Sequence, residues 1–371
     1  MTPDRSRRRP FPSPGGGQLA LAAVAVAVFL PALFGACSPG YVLRAGWEEL
    51  KILDRRVPID RAVHDTAMSR DLRRKLRLVV DAREYAEREL GLDAGDSYRS
   101  YASMPSDTLM LVVSAAYAYR LDWKTWWFPV VGRVPYRGFF DFGEARDLAE
   151  TLREKGFDTY VRPTAAFSTL GWLPDPVLSP ALRGDSVTVV ETVIHEVTHT
   201  TFFPEGAVDF NESFANFVGH RGAISFFCDG LGDGPNCRRA RDRWHDTRVF
   251  SRFFQATVDD FRELYARSLP DSTMEVRKRA LFRKAARRYS EEVRPRLRAG
   301  RYGELDPEGL NNAWLLGRIL YYRRLDDFEA VHRRRGGLRE AVHSVMQATR
   351  EARDGPWEAL DGLLDERSGA G

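Results

Sequence analysis

The chain has 371 residues, of which 43% are hydrophobic and 12% aromatic, so it can bury a sizeable core. This composition excludes a disordered or collagen-like protein. The 56 Lys and Arg residues nearly balance the 52 Asp and Glu residues and leave a net charge of +4. Because the basic residues are spread along the chain and are not massed in one stripe, nucleic acid is not an expected partner.

The first 36 residues have the layout of a signal peptide. A basic stretch, Arg5 to Arg9, precedes an apolar run from Leu19 to Phe34. This run is shorter than the roughly 20 apolar residues of a spanning helix. The residues 33–37, Leu-Phe-Gly-Ala-Cys, resemble the lipobox of bacterial lipoproteins. They predict a lipid on Cys37 that anchors the mature protein to a membrane of the bacterial cell envelope, facing the periplasm or the exterior; an uncleaved N-terminal anchor is the alternative.

The remaining residues, 37–371, are predicted to form one domain, with its core at about 126–225. Helical spacing around Leu72, Leu76 and Val79 is followed by an alternating β-α-β stretch over about 108–168. Asp185 or Ser186 is expected to cap a helix that runs to about Thr201. The next helix begins near Asn211, and we expect Gly219 or Gly222 to loosen it. From about 238 to 350 the chain is predicted to be helical.

Two cysteines, Cys228 and Cys237, flank a loop rich in glycine. Such a loop is flexible enough to bring two thiols together, and the signal peptide indicates an oxidising compartment. The sequence therefore favours a local disulfide over two reduced thiols. A zinc site is not expected here, because no second Cys or His pair with suitable spacing accompanies these two.

The strongest chemical signal is the sequence His195-Glu196-Val197-Thr198-His199. Its two histidines are four residues apart, which places them one above the other on one face of a helix. Two imidazoles in this arrangement can bind a single zinc ion. Glu196 then lies near the open metal position, where it can accept a proton from water as the general base and pass it to the leaving amine.

A hydrolytic zinc site needs a third protein ligand, and Glu212 is the predicted one. Phenylalanines at 210, 214 and 217 would bury one face of its helix and direct Glu212 towards the first helix. Glu205 and Asp209 are rival carboxylates in the connecting segment, and they could instead orient an imidazole. His220 could also support a ligand, but we expect it at the polar surface.

Several spaced motifs resemble those of the bacterial predicted aminopeptidase family. They comprise Pro129-Val130-Val131-Gly132, Pro135 to Asp141, Ala166 to Trp172, Asp175 to Leu178, the H-E-x-x-H run, Asn211 to Ala215 and Leu310 to Ala313. The resemblance covers most of the chain after Cys37. It implies a zinc metallopeptidase of gluzincin type, and many members of this family are lipoproteins. No G-x-M-E-N segment, which gluzincin aminopeptidases use to hold the substrate amine, is evident, so Asp141, Asp175 and Glu205 remain candidates for that role.

A tetrahedral intermediate also needs a donor directed at its oxyanion. Tyr321 and Tyr322, on a predicted helix after Asn311, are the candidates, and Tyr136 and Arg137 rank behind them. The sequence as a whole predicts an α+β, zincin-like fold that is mostly helical with a small sheet beside the active-site helix. The predicted function is peptide hydrolysis with one zinc ion. The alternatives are a non-catalytic zinc-binding or scaffold lipoprotein and a zinc amidase that acts on cell-wall peptides.

Overall fold

The computed structural model describes residues 54–104, 106, 108, 110–128, 132–164, 176–229, 232–300 and 302–365. Cys37, Asp175 and the segment 165–175 lie outside the described residues. Within these ranges the α-helices are α1 (Ile59–His64), α2 (Arg70–Arg88), α3 (Phe142–Glu154), α4 (Ser186–Thr201), α5 (Val208–Cys228), α6 (Pro235–Tyr265), α7 (Asp271–Arg288), α8 (Asn312–Tyr322), α9 (Leu325–Arg335), α10 (Leu338–Glu351) and α11 (Pro356–Asp365). The strands are β1 (Arg56–Pro58), β2 (Ser100–Ala102), β3 (Met110–Tyr117), β4 (Trp126–Phe128), β5 (Gly132–Val134), β6 (Tyr136–Phe139), β7 (Phe157–Thr164) and β8 (Val177–Leu178).

This element order confirms the prediction of an α+β protein that is mostly helical. The strands form three small sheets with the orders β1-β2-β8, β6-β3-β7 and β4-β5. In the middle sheet β3 pairs antiparallel with both neighbours, so that Val112 lies opposite Gly138 on β6 and Arg162 on β7. The predicted β-α-β stretch is confirmed as β3, β6, α3 and β7.

The β6-β3-β7 sheet is covered on both faces. Val113 and Ala115 of β3 pack with the apolar side of α3. On the opposite face, Ala116 packs with Ala313 and Leu316 of α8. This alternation follows from the two-residue period of a strand.

Helix α8 lies between this sheet and the helices α5 and α6. The buried side chain of Asn312, at its first turn, joins the layers. Its amide nitrogen donates to the carbonyls of Tyr117 and Ala118 at 2.9 and 3.0 Å, and its amide oxygen accepts from the Tyr265 hydroxyl at 2.8 Å. The sheet is therefore connected to the helical part of the molecule through α8.

Helices α4 and α5 approach each other closely through Gly219 and Gly222. A methyl group on Gly219 would lie 2.7 Å from the backbone oxygen of Glu191 on α4, and one on Gly222 would meet Ile194. The expectation that these glycines loosen α5 is wrong, because the helix runs unbroken from Val208 to Cys228. Their physical role is to let two helix backbones come close together.

The two ends of the α5–α6 connection are joined covalently. Cys228 and Cys237 form a disulfide, which confirms the predicted pairing. Farther along, Phe328 of α9 packs against the rings of Phe210 and Phe214, so the C-terminal helices cover α5. None of the helices in the described part of the chain is both long enough and apolar enough to span a membrane.

Candidate metal centre

Helix α4 carries the two histidines of the H-E-x-x-H sequence. Asp185 caps its first turn by accepting a hydrogen bond from the backbone nitrogen of Thr188 at 2.9 Å. Val193, Ile194 and Val197 are buried and hold the helix against the core. On the remaining face the Nε2 atoms of His195 and His199 are 3.1 Å apart. The predicted spacing therefore brings both imidazoles to one point.

Helix α5 brings Glu212 to the same point. Its neighbours Phe210 and Phe214 are almost fully buried, which fixes the rotation of the helix. The Oε2 atom of Glu212 lies 3.4 Å from Nε2 of His195 and 3.6 Å from Nε2 of His199. The ligand atoms of these three residues all lie within 4.8 Å of one another, and this is the one cluster of its kind among the described residues.

The three donor atoms fit a zinc ion. Bonds of about 2.0 to 2.2 Å in tetrahedral geometry separate two ligand atoms by roughly 3.3 Å, and the observed separations are 3.1 to 3.6 Å. Two imidazoles and one carboxylate are also the donor types of catalytic zinc sites. His195 makes a further hydrogen bond to the backbone carbonyl of Ala215, which is the support that metal-binding imidazoles usually have.

The electrostatic interactions within the cluster also favour a bound cation. Burial alone would raise the pKa of Glu212, but hydrogen bonds from His195 and His199 outweigh it and hold this pKa far below its ordinary value. Burial likewise opposes a charge on His195, whereas Glu212 and Glu196 raise the pKa of that imidazole. The carboxylates around the two imidazoles thus favour a positive charge at this point.

Glu196 lies beside the cluster without joining it. It follows His195 on α4, is partly buried, and its negative charge acts on the His195 imidazole. Its carboxylate makes no hydrogen bond or ion pair with any residue that the structure describes. Glu196 is therefore available to exchange a proton at this site.

Of the two predicted tyrosines, the structure brings only Tyr321 to the cluster. The Tyr321 ring stacks on His195 with 6.3 Å between the ring centres. The negative charge of Glu212 is the largest cause that raises the pKa of the Tyr321 hydroxyl, and burial adds to it. The hydroxyl consequently stays protonated and able to donate.

Tyr322, the other predicted tyrosine, points away from the cluster. Its ring packs against Phe250 and Phe254, and its hydroxyl lies 3.3 Å from that of Tyr302. Successive residues of a helix point about 100° apart, so α8 directs Tyr321 towards α4 and Tyr322 towards α6. Tyr322 is partly buried, packs on the α6 side and points away from the cluster.

The rival carboxylates are engaged or placed elsewhere. Asp209 is bonded by Arg323 and accepts from the indole nitrogen of Trp357 at 3.3 Å. Glu205 is exposed, and neither carboxylate belongs to the ligand cluster.

Among the candidates for binding a substrate amine, Asp141 accepts hydrogen bonds from the first backbone nitrogens of α3. Of the secondary candidates for the oxyanion, Tyr136 acts electrostatically on Tyr321.

His220 is buried, which contradicts its expected place at the polar surface. Its Nδ1 lies 2.7 Å from the carboxylate of Glu191, and Arg243 of α6 holds the same carboxylate with two hydrogen bonds. Glu191 stands one helical turn before His195 on α4. The three residues thus tie α4, α5 and α6 together behind the candidate metal ligands. Glu191 and Arg243 were not predicted from the sequence.

The fold and the cluster define a mostly helical α+β protein with a two-histidine, one-carboxylate centre between two packed helices. A family model described as "Putative aminopeptidase" matches residues 40–356, and the chain therefore belongs to this family. Membership supports a peptidase activity on peptide substrates. No curated protein and no solved structure matches the chain.

Proposed function

We propose that this protein is a zinc-dependent metallopeptidase with a zincin-like active site. The observation that carries the proposal is the convergence of His195, His199 and Glu212, with ligand atoms within 4.8 Å, next to the unengaged carboxylate of Glu196. A structural ion pair would need neither the zinc-like spacing nor the adjacent free base. The family match adds independent support for a peptidase.

Each residue has a distinct part in the proposed reaction. His195, His199 and Glu212 would hold zinc, which when bound supplies an acidic water and polarises the scissile carbonyl. Glu196 accepts the proton of the attacking water and delivers it to the amide nitrogen as the peptide bond breaks. Tyr321 donates a hydrogen bond to the developing oxyanion, because its raised pKa keeps the hydroxyl protonated.

Removal of an N-terminal residue, the activity of an aminopeptidase, is the specific form that we propose on the basis of the family description. Such an enzyme needs an anion that binds the free amine of its substrate. Of the three candidates, Asp141 caps a helix, whereas Glu205 is exposed. Glu205 and Asp175, which lies outside the described residues, therefore remain the candidates to mutate.

The decisive experiment compares the parent protein with its Glu196→Gln and Glu212→Ala variants. Glu196→Gln keeps the shape of the side chain but cannot accept the proton, so it should retain zinc and lose roughly 100- to 10,000-fold in peptide hydrolysis. Glu212→Ala should lose most of its zinc, measured by elemental analysis after gel filtration, because three ligands are needed to hold the ion.

Two outcomes would change the proposal. Parent-like hydrolysis by Glu196→Gln at matched zinc content would refute the assigned mechanism. A parent protein that holds zinc but cleaves nothing in a mixed peptide library would instead indicate a scaffold function.

We further propose that the protein is anchored to a bacterial envelope membrane by a lipid on Cys37, which lies outside the described residues. The lipobox-like residues 33–37 support this proposal. Labelled fatty acid should be incorporated into the parent and not into Cys37→Ser; equal labelling of the two would refute the assignment.

A further inference from the structure

Arg162 lies on strand β7, and the register of the sheet determines the face on which its side chain lies. Along β7, Tyr160 and Arg162 are two residues apart and therefore lie on the same face. Tyr160 packs against Ala313 and Leu316 of α8, and a methyl group added to Gly317 would lie 3.8 Å from the Tyr160 ring. Arg162 consequently points to the α8 side of the sheet, whereas Val161, between them, packs with α3 on the opposite side.

Helix α8 and strand β7 run side by side in the same direction. Asn311, just before α8, donates to the carbonyl of Thr159 at 2.9 Å, and Gly317 follows next to Tyr160. One further helical turn leads from Gly317 to Tyr321, and two further strand residues lead from Tyr160 to Arg162. The side chain of Arg162 is thereby placed next to Tyr321, which stacks on His195.

The electrostatics agree with this placement. Glu212 has the largest effect on the pKa of Tyr321 and raises it, and the positive charge of Arg162 acts in the opposite direction. Arg162 is thus close enough to Tyr321 for its charge to act on the hydroxyl.

Arg162 differs from three other cations that are buried or partly buried. Arg243 binds Glu191, Arg323 binds Asp209, and Lys278 binds Asp158 at 2.7 Å. Arg162 is also partly buried, yet it makes no hydrogen bond or ion pair with any residue in the ranges that the structure describes. A guanidinium that is partly withdrawn from water favours a carboxylate, which it binds with two parallel hydrogen bonds.

The protein's own carboxylates at the centre already have partners or roles, so none of them is expected to pair with Arg162. Glu212 is held by the two imidazoles, and Glu196 is the proposed base. Strand β7 is an edge strand among the described residues, so Arg162 stands at a margin that an extended peptide can approach.

We propose that Arg162 binds a carboxylate of the substrate peptide, so that the enzyme prefers short peptides with a free C-terminal carboxylate close to the cleaved bond. A Glu or Asp side chain of the substrate, at the same distance from the cleaved bond, is the other possible source of this carboxylate. The inference rests on the proposed peptidase function, and it gives that function a substrate class. Arg162 is a binding residue in this scheme and takes no part in proton transfer.

The test uses the full-length, zinc-loaded protein and one cleaved peptide in two forms, the free acid and the C-terminal amide. The parent should favour the free acid in kcat/KM by roughly 10- to 100-fold, as expected of a charge-assisted bidentate contact. Arg162→Gln should abolish this preference, and Arg162→Lys should restore part of it. Arg146→Gln, on an exposed position of α3, is the matched control and should leave the preference unchanged.

A second measurement separates this inference from the proposed function. Calorimetry with the Glu196→Gln protein should show tighter binding of the free acid than of the amide, and the added Arg162→Gln change should remove the difference. If the parent cleaves no peptide, the peptidase proposal fails, while this binding difference still tests Arg162.

Peptide amides that carry Glu or Gln beside the cleaved bond distinguish the two carboxylate sources. A Glu preference that depends on Arg162 supports recognition of a side chain. The same acid-to-amide and Glu-to-Gln ratios in the parent and in Arg162→Gln would overturn the inference.

Discussion

Replacing Gly219 by alanine should disturb the proposed metal centre without changing any of the proposed ligands. The added methyl would lie 2.7 Å from the backbone oxygen of Glu191 and 3.2 Å from Cβ of His195. An unstrained contact needs about 3.4 Å or more, and the obstacle is helix backbone, which cannot rotate away. Helices α4 and α5 would therefore separate by roughly 0.5 to 0.7 Å.

This separation matters because α4 carries His195 and His199, whereas α5 carries Glu212. Metal–ligand distances tolerate deviations of only about 0.2 Å. We therefore expect zinc affinity, measured by competition with a chromophoric chelator, to fall roughly 10-fold or more. Overpacking should also lower the free energy of unfolding by about 1 to 3 kcal/mol, which is partly offset by the better helix propensity of alanine, about 1 kcal/mol.

Gly362→Ala is the matched control for this substitution. Gly362 also lies inside a helix, α11, but apart from its own helix backbone and chain neighbours no atom of the described residues stands within 4 Å of the methyl that alanine would add. Here the same chemical change should raise the free energy of unfolding by roughly 0.5 to 1 kcal/mol and leave zinc affinity unchanged. The reasoning about helix contact would be refuted if Gly219→Ala bound zinc like the parent and were equally stable to heat.

Two further predictions concern stability. Burial alone would raise the pKa of Glu191, but His220 and Arg243 outweigh it and hold this pKa at about 2. Because the folded value lies below the ordinary 4.5, the ionised Glu191 stabilises the folded state above about pH 4.5. This stabilisation is lost as the pH falls towards 2. Glu191→Gln should therefore cost about 3 kcal/mol in urea unfolding at pH 7 and much less near pH 2, and an equal loss at both pH values would contradict this account. Replacing Cys228 and Cys237 together by serine should lower the free energy of unfolding by roughly 2 to 3 kcal/mol, as expected for a loop of this length, whereas an unchanged melting temperature would show that the bridge does not stabilise the fold.

The ligand cluster could be predicted because short-range periodicity determines it. Histidines four residues apart must share a helix face, and the phenylalanines around Glu212 determine which side of α5 is buried. The cap at Asp185 follows equally from local chemistry. These parts of the site depend on single helices and not on how distant elements are arranged.

The remaining parts depend on packing between elements that are far apart in the chain. Tyr321 and Tyr322 are chemically identical, and only the position of α8 between the sheet and α6 distinguishes them. His220 was predicted at the polar surface because its two buried neighbours, Glu191 and Arg243, come from other helices and could not be recognised from the local sequence. Arg162 could not be selected from sequence, because its direction depends on the register of β7 and on the neighbouring helix.

The buried amide of Asn312 has a consequence for the order in which the molecule can assemble. It closes hydrogen bonds to carbonyls at positions 117 and 118, almost 200 residues earlier in the chain. The proposed metal ligands lie within 18 residues of sequence, from His195 to Glu212, so they can meet while the chain is still growing. Tyr321 reaches them only after α8 has docked on the sheet, when most of the 371 residues have been synthesised. We therefore expect the proposed metal centre to form early in folding and the complete proposed active site to form late.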